Sequence, residues 1–262
     1  MKISGAIFDL DGTLIDSMPI WNNLAYNFIV SKGVTPRPDL RDRVSTMFLR
    51  ESSEYIVSEY SLDCTAEDVL AYMHEQINDF YINRVPPKQD IIAFLDKLKA
   101  ENIRMCVATA TERRLAEASL KLNGMLEYFD EIFTCAEIGI SKQSPDIFEL
   151  ALNALGTPKS ETFVFEDSPH AAITANKAGF PVVSIYDKAA ANKANEMKAN
   201  SVCYINRYEP TMVASCSSPL SSTTKTPAAP SITWAFVTIY PSWLIIIPDP
   251  EPCSINPSLG FE

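Results

Sequence analysis

The fold of this chain is decided by its first apolar stretch and the residues that end it, Lys2-Ile3-Ser4-Gly5-Ala6-Ile7-Phe8-Asp9-Leu10-Asp11-Gly12-Thr13. The residues up to Phe8 are typical of a short buried strand, and Gly12 allows the backbone to turn sharply after it. Asp9 and Asp11 lie two residues apart, so their carboxylates can point to the same side. Because crowded carboxylates repel each other, we expect a divalent cation beside them, although an acidic surface turn would give the same local pattern.

Apolar runs alternate with helical patterns in the second part of the chain. Strands are predicted over residues 104–108, 131–134, 162–165, 182–186 and 201–205, and helices over residues 91–100, 112–122, 146–155 and 171–178. Strands that alternate with helices indicate a parallel sheet covered on both faces. The predicted fold class is therefore α/β, a doubly wound parallel sheet with a Rossmann-like core formed by residues 1–15 and 86–210.

Residues 16–85 show helical periodicity and contain no predicted strand. Thr65 followed by Asp68 is typical of a capping box at a helix start, and Pro86-Pro87 closes the segment. Trp21 belongs to one of the apolar helical stripes and is predicted to be a core residue of this segment. We expect a helical cap domain, inserted after the first strand and lying over the edge of the sheet.

The composition changes near Pro210. Residues 211–262 contain eight prolines and a single basic residue, Lys225, and Pro241 interrupts their longest apolar stretch. Proline at this density suits neither a helix nor a central strand. We interpret this tail as irregular or disordered, with a frame-shifted or appended end as one hypothesis for its origin, and we expect no membrane span in it.

The composition also limits the classes of function. The formal net charge is −11, which argues against a nucleic-acid-binding surface. The six cysteines form no CxxC pair, and two histidines are too few for a histidine-rich metal site. The N-terminal apolar run is too short for a signal-peptide core, so we expect the protein in the cytoplasm. A monomer or weak oligomer is expected.

Four polar segments are each predicted to follow an apolar strand or to lie in a loop nearby. They are Asp9 to Thr13, Thr109-Ala110-Thr111, Lys142 and Glu166-Asp167. The carboxyl ends of parallel strands meet at one edge of a sheet, where open α/β folds bind ligands. One carboxylate could attack phosphorus and a second could act as acid and base, while hydroxyl, amide and ammonium groups hold phosphate oxygens. Taken singly, each segment also has an ordinary explanation as a helix cap, a solvated lysine or compensation of a helix dipole.

Taken together, these segments resemble the four motifs of the haloacid dehalogenase-like hydrolases. Ile7 to Ser17 resembles motif I, Thr109 motif II, Lys142 motif III and Glu166-Asp167 motif IV, and the resemblance covers about residues 3–209. The helical insertion resembles the cap of the beta-phosphoglucomutase and phosphoglycolate phosphatase branch. Three residues depart from the usual pattern and bear on backbone conformation: Ser141, Gln143 and Ala171.

The resemblance implies roles for the motif residues. Asp9 would be the nucleophile and a metal ligand, and Asp11 the acid and base, with its backbone carbonyl also on the metal. Asp167 would bind Mg²⁺ and Glu166 would support its water shell. The phosphoryl group would be bound by Thr109, Ala110 and Lys142.

The resemblance predicts a magnesium-dependent phosphatase that hydrolyses small phosphate monoesters, such as sugar phosphates, through an aspartyl-phosphate. The alternative is a phosphomutase of the beta-phosphoglucomutase type, and a binding module without turnover is a third hypothesis. Arg50 resembles a cap arginine that grips a second phosphate in those mutases. Trp21 stands where they usually carry a histidine, which weakens the mutase alternative.

Overall fold

The predicted parallel sheet is present in the structure, a computed structural model that describes residues 2–44 and 47–208. Its strands are β1 (Gly5–Phe8), β2 (Arg104–Thr109), β3 (Glu131–Thr134), β4 (Thr162–Glu166), β5 (Val182–Ile185) and β6 (Cys203–Ile205). They form one sheet of six strands in the order β3-β2-β1-β4-β5-β6, and every neighbouring pair is parallel.

The strand order reverses beside β1. From β1 the chain builds the sheet outward through β2 and β3 on one side, and then through β4, β5 and β6 on the other. Phe8 at the end of β1 is level with Val107 of β2 and with Phe165 of β4. Because ligands bind at such a switch point, outside the carboxyl ends of the strands, the residues after β1 and β4 occupy the expected place for a site.

In the described ranges, four helices lie between β1 and residue 85, where the periodicity predicted helices. They are α1 (Met18–Ser31), α2 (Leu40–Val44), α3 (Leu49–Tyr60) and α4 (Ala66–Asn83), called the inserted helices below. The capping box at the start of α4 is confirmed, because Thr65 accepts from the Asp68 N–H and the Asp68 carboxylate accepts from the Thr65 N–H. That these helices form a separate cap domain with the boundaries 16–85 stays a prediction.

The remaining helices alternate with the strands. They are α5 (Ile91–Ala100), α6 (Arg113–Leu122), α7 (Cys135–Ile138), α8 (Asp146–Leu155), α9 (Pro169–Lys177) and α10 (Ala194–Ala199). α5, α8 and β3 have the predicted bounds. α9 begins two residues earlier than predicted, because Pro169 is its first residue, and the first strand begins at Gly5 instead of Lys2.

Both faces of the sheet are covered, so the doubly wound fold class is confirmed. On one face, Phe8 stacks on Phe165 with ring centroids 4.4 Å apart and packs edge-on against Phe94 of α5. On the other face, Ile7 packs in a second buried cluster with Phe148 of α8 and Ala172 of α9. Successive side chains of β1 thus pack on opposite faces of the sheet, because side chains alternate in direction along a strand.

The start of α5 has no side-chain cap. Asp90 occupies its N-cap position, where the backbone is left-handed with φ 63° and the side chain makes no capping hydrogen bond. The tail at 211–262 lies outside the described residues. Among the helices that are described, none is long and apolar enough to cross a membrane.

Candidate active site

A tight turn follows β1 and fixes the first two candidate residues. Gly12 lies in the left-handed region with φ +77°, and its N–H donates to the Ile15 carbonyl over 2.9 Å. A Cβ atom at Gly12 would lie 2.1 Å from Oδ2 of Asp167, closer than side chains are ever found. Glycine is therefore required here both by the backbone conformation and by the approach of Asp167.

Three carboxylates gather between the ends of β1 and β4. Asp9, Glu166 and Asp167 each offer an oxygen atom, and these atoms all lie within 4.8 Å of one another. Asp9 is held to β4 through its N–H, which donates to the Phe165 carbonyl over 2.9 Å. All three side chains are at least nine-tenths buried. This group is called the acidic cluster below.

Lys142 enters the acidic cluster from the loop between α7 and α8. Its Nζ pairs with Oδ1 of Asp9 and, over 2.9 Å, with Oε2 of Glu166. The other oxygen of Glu166 accepts from the Ser168 N–H over 3.2 Å. Three ionised carboxylates and one ammonium leave two negative charges at the cluster. A divalent cation would neutralise them.

The acidic cluster favours added positive charge. Burial, and next the charge of Glu166, raise the pKa of Asp9 from 3.8 to about 8. Burial and neighbouring carboxylates also raise the pKa of Asp167. Burial alone would lower the pKa of Lys142, but the charges of Asp9 and Glu166 raise it, so this side chain stays an ammonium. The carboxylates therefore have to gain either protons or a cation.

The donor set fits a hard divalent metal ion. Carboxylate oxygens are the ligands that Mg²⁺ prefers, and it is usually held by only one or two of them together with substrate phosphate and water. Asp9 and Asp167 would hold such an ion, since Glu166 already accepts from Lys142 and from Ser168. The Gly12 backbone leaves the space that Asp167 needs for this role.

The Asp11 carboxylate does not belong to the acidic cluster. Its Oδ2 accepts from the Thr111 hydroxyl over 2.5 Å, and its Oδ1 accepts from the Tyr81 hydroxyl. The Tyr81 oxygen in turn accepts from Nε1 of Trp21 over 3.2 Å. The structure thus separates the two aspartates of the first motif into different environments, which is the arrangement expected for two carboxylates with different roles.

Tyr81 was missed by the sequence reasoning, and the expectation for Trp21 was wrong. Tyr81 is fully buried on α4; burial, and then the charge of Asp11, raise its pKa well above the usual range, so the hydroxyl keeps its proton. Trp21 is not a core residue, because 41% of it is exposed and its N–H donates to Tyr81.

The loop after β2 carries the candidate phosphate-binding residues. Thr109, the last residue of β2, is buried, and its hydroxyl oxygen accepts from the Thr111 N–H over 3.0 Å. Ala110 lies between them and is exposed. Since Thr111 also contacts Asp11, this loop is fixed against the turn after β1, beside the acidic cluster.

Ordinary turns bring Lys142 to the cluster. The Thr134 side chain caps α7, and Gly139 ends that helix in the left-handed region with φ 74°. The Ser144 N–H then donates to the Ser141 carbonyl over 3.0 Å, which closes a turn around Lys142. Ser141 has no positive φ, so the departures at Ser141 and Gln143 do not strain the backbone.

Comparison with known proteins decides the family. The model of the haloacid dehalogenase-like hydrolase family matches residues 6–185, a range that contains the acidic cluster, Asp11, Thr109 and Lys142. The chain belongs to this family. The resemblance stated from the motifs is thereby confirmed.

The relatives of this haloacid dehalogenase-like hydrolase include phosphatases. It is 27% identical over 186 residues to a pyrophosphatase, PpaX, so named provisionally, from Caldanaerobacter subterraneus subsp. tengcongensis, covering 71% of this chain and 82% of that one. It is also 27% identical over 198 residues to hexitol phosphatase A of Escherichia coli, covering 75% and 89%. In fold it is similar to a Thermotoga maritima protein provisionally named a beta-phosphoglucomutase, with TM-score 0.71, 23% identity and coverage of 82% and 98%.

One further ion pair of this hydrolase lies next to the acidic cluster. Nζ of Lys88 is 2.8 Å from Oδ2 of Asp187, and Asp187 is one of the charges that raise the pKa of Asp167. The Lys88 N–H also donates to the Leu14 carbonyl over 2.9 Å. Asp187 was missed, although it lies just after β5 and the rule that polar residues follow strands would have found it.

Arg50, the candidate substrate residue of the insertion, is not brought to the acidic cluster by any contact in the described ranges. Its guanidinium pairs with Glu67 over 3.3 Å, and both side chains are largely exposed. Its role in binding a second phosphate stays a prediction.

Proposed function

We propose that this hydrolase is a magnesium-dependent phosphatase that acts on small phosphate monoesters, such as sugar phosphates, through an aspartyl-phosphate at Asp9. The observation that carries the proposal is the acidic cluster, with Lys142 against Asp9 and with Asp11 held apart by hydroxyl donors. The hexitol phosphatase relative supports a sugar phosphate as substrate.

Two displacements at phosphorus account for the reaction. In the first, an Asp9 oxygen forms a bond to phosphorus while the bond to the leaving alcohol breaks, and Asp11 gives its proton to that alcohol. In the second, water attacks the phosphorus of phospho-Asp9, Asp11 takes a proton from the water, and the Asp9 carboxylate leaves. Inorganic phosphate is released and both aspartates return to their starting state.

The remaining groups of the site bind the phosphoryl oxygens and neutralise negative charge. The Lys142 ammonium, the Thr109 hydroxyl and the backbone N–H groups near Ala110 would hold the phosphoryl oxygens. Mg²⁺ on Asp9 and Asp167 would supply positive charge against the phosphoryl group and against the crowded carboxylates. The family motif favours Asp9 as the nucleophile, and the Tyr81 and Thr111 hydroxyls that donate to both oxygens of Asp11 suit its role as acid and base.

The residues around Asp11 favour hydrolysis over the mutase alternative. A histidine in place of Trp21 could both accept and donate a proton, whereas an indole N–H only donates. Arg50, which a mutase of that type would use for a second phosphate, is paired with Glu67. Steady conversion of one hexose phosphate isomer to another without phosphate release would establish the mutase instead.

The proposal is tested by phosphate release from a panel of esters with the purified full chain and Mg²⁺. The panel contains hexitol phosphates, hexose phosphates and pyrophosphate, with Asp9→Asn as the inactive control. We expect the wild type to hydrolyse at least one monoester. Phosphate release from pyrophosphate alone would mean that the substrate is pyrophosphate and not a monoester. No phosphate release from any compound would favour a binding module without turnover.

The expected partner, oligomeric state and localisation are also proposals. A small phosphorylated metabolite is the partner, nucleic acid is not, and the protein acts as a monomer or weak oligomer in the cytoplasm. The net charge of −11 supports the exclusion of nucleic acid, since a phosphate backbone requires clustered basic residues.

A further inference from the structure

The two hydroxyl groups that hold Asp11 come from different parts of the fold. Thr111 belongs to the loop after β2, whereas Tyr81 lies on α4, in the inserted helices. Tyr81 is 70 residues from Asp11 in sequence, and its side chain is fully buried. The inserted helices therefore supply one of the two donors to a carboxylate of the sheet edge.

The direction of this hydrogen-bond chain follows from the chemistry of its members. The indole N–H of Trp21 can only donate, so the Tyr81 oxygen must accept from it. Tyr81 donates its proton to Oδ1 of Asp11, and when Asp11 is ionised, between the two proton transfers, its carboxylate can only accept. Trp21 thus orients the Tyr81 hydroxyl, and Tyr81 orients the carboxylate. A donor fixed on both sides restricts Asp11 more than a freely rotating hydroxyl would.

We propose that Tyr81 is a positioning residue for Asp11, with Trp21 positioning Tyr81, so that the inserted helices control the proton transfers of the reaction. The inference rests on the proposed function, in which Asp11 gives a proton to the leaving alcohol and later takes one from water. Tyr81 itself exchanges no proton. Its removal leaves Asp11 with the Thr111 hydroxyl as its remaining donor, so the carboxylate is held less firmly toward the reacting oxygen.

The test separates proton transfer from phosphoryl transfer by the choice of leaving group. An alkyl phosphate needs a proton on its leaving oxygen, whereas 2,4-dinitrophenyl phosphate releases a stable phenolate that needs none. Because a positioned acid contributes roughly 10²–10⁴-fold, we expect Tyr81→Phe to lower kcat/KM about 10- to 100-fold for the alkyl ester and less than about threefold for the dinitrophenyl ester.

A second readout comes from the later step of the reaction. Hydrolysis of phospho-Asp9 needs Asp11 as a base whatever the leaving group was. Tyr81→Phe should therefore lower kcat for the dinitrophenyl ester although kcat/KM is retained, which a general loss of folded enzyme would not do. Trp21→Phe keeps a ring but removes the N–H donor, and it should give the same pattern with smaller changes.

Tyr72→Phe is the matched control. Tyr72 also lies on α4, is partly buried and packs against Phe28 with ring centroids 5.1 Å apart, away from Asp11. We expect this variant to leave the rates with both esters unchanged. Melting temperatures of all variants show whether a hydroxyl group matters for folding as well.

The outcomes are decisive in each case. The inference is overturned if Tyr81→Phe lowers kcat/KM equally with both esters. It is also overturned if neither Tyr81→Phe nor Trp21→Phe lowers kcat/KM with either ester. Tyr81 and Trp21 would then be structural residues. If Tyr81→Phe unfolds, the pattern of Trp21→Phe decides. A wild type that hydrolyses neither ester would instead refute the proposed function, and the inference with it.

Discussion

At the scale of single residues, Asp9 has surroundings that oppose its own ionisation. It is nearly buried and faces two further carboxylates, with Lys142 as its cationic partner. A nucleophilic carboxylate has to be ionised, yet burial and Glu166 raise its pKa to about 8. The cation that the cluster is suited to hold would restore the ionised form near neutral pH.

Replacement of Asp9 by asparagine should abolish turnover and keep the fold. The amide has the size of the carboxylate but cannot form the phosphoryl bond, so we expect phosphate release to fall at least about 10³-fold. Phosphate release and the melting temperature measure the two effects. Activity within tenfold of the wild type would rule out Asp9 as the nucleophile.

The stability of the metal-free protein should fall as the pH rises. The unfolded Asp9 carboxyl loses its proton near 3.8 and the folded one near 8, so between these values the folded state binds more protons and the free energy of unfolding decreases with pH. Melting temperatures in EDTA at pH 6 and pH 8 measure this slope.

The variant Asp9→Asn is the control for that slope. It removes one titrating group and leaves Glu166 and Asp167 in place, so its melting temperature should depend less steeply on pH than that of the wild type. An identical slope in both proteins would mean that Asp9 does not titrate in this range.

At the scale of elements, the turn after β1 should be more sensitive than other turns with the same backbone. Gly12 and Gly33 have similar φ values, +77° and +73°, but only Gly12 has an atom in the place of a Cβ, Oδ2 of Asp167 at 2.1 Å. An alanine at either position has to adopt the left-handed backbone conformation, which destabilises the folded state by about 1–2 kcal/mol. Ala at Gly12 must also displace Asp167.

The pair of variants separates the two effects. We expect Gly33→Ala to lower the melting temperature slightly and keep full activity. Gly12→Ala should lower it further, because a buried carboxylate has to move, and should reduce phosphate release strongly. Equal melting temperatures and equal rates for the two variants would show that the contact with Asp167 is not important.

The sequence allowed the sheet and most of the edge site to be predicted, because spacing along a parallel sheet fixes where strand ends lie. Asp9 directly follows β1, Glu166 is the last residue of β4 and Asp167 follows it, and the structure gathers them as expected. The same argument could have found Asp187. It could not have found Tyr81, since a tyrosine in a helical stripe has the pattern of a core residue, and nothing in the spacing of α4 tells which residue reaches Asp11.

The inserted helices were less predictable for a related reason. The periodicity of their apolar residues predicts helices, but it does not predict how these helices pack on one another or on the sheet. Trp21 was expected in a core and is 41% exposed. Arg50 pairs with Glu67, and its predicted contact with a phosphate stays a prediction. Contacts between elements far apart in sequence depend on packing, which one sequence does not reveal.

At the scale of the whole molecule, a protein with net charge −11 has to bind an anion at a place that is itself rich in carboxylates. One lysine in the cluster is not sufficient, and under the proposed function a bound cation would supply the remaining positive charge. Metal binding should therefore stabilise the folded protein as a whole.

Addition of Mg²⁺ to the EDTA-treated protein should raise the melting temperature. An ion at about 100 times its Kd contributes about 2.7 kcal/mol, which corresponds to a rise of roughly 5–10 °C for a domain of this size. Asp167→Asn should lose this rise, while Asp63→Asn, at an exposed position before α4, should keep it. A rise that survives Asp167→Asn would place the ion elsewhere.

The position of Trp21 also gives the enzyme an optical reporter. Its indole ring is partly in contact with water and is joined through a single tyrosine hydroxyl to Asp11, the carboxylate proposed as acid and base. With the other two tryptophans, Trp234 and Trp243, replaced by phenylalanine, the emission of this fluorophore would follow the site directly during turnover. Stopped-flow traces could then time each stage of the catalytic cycle without any attached dye.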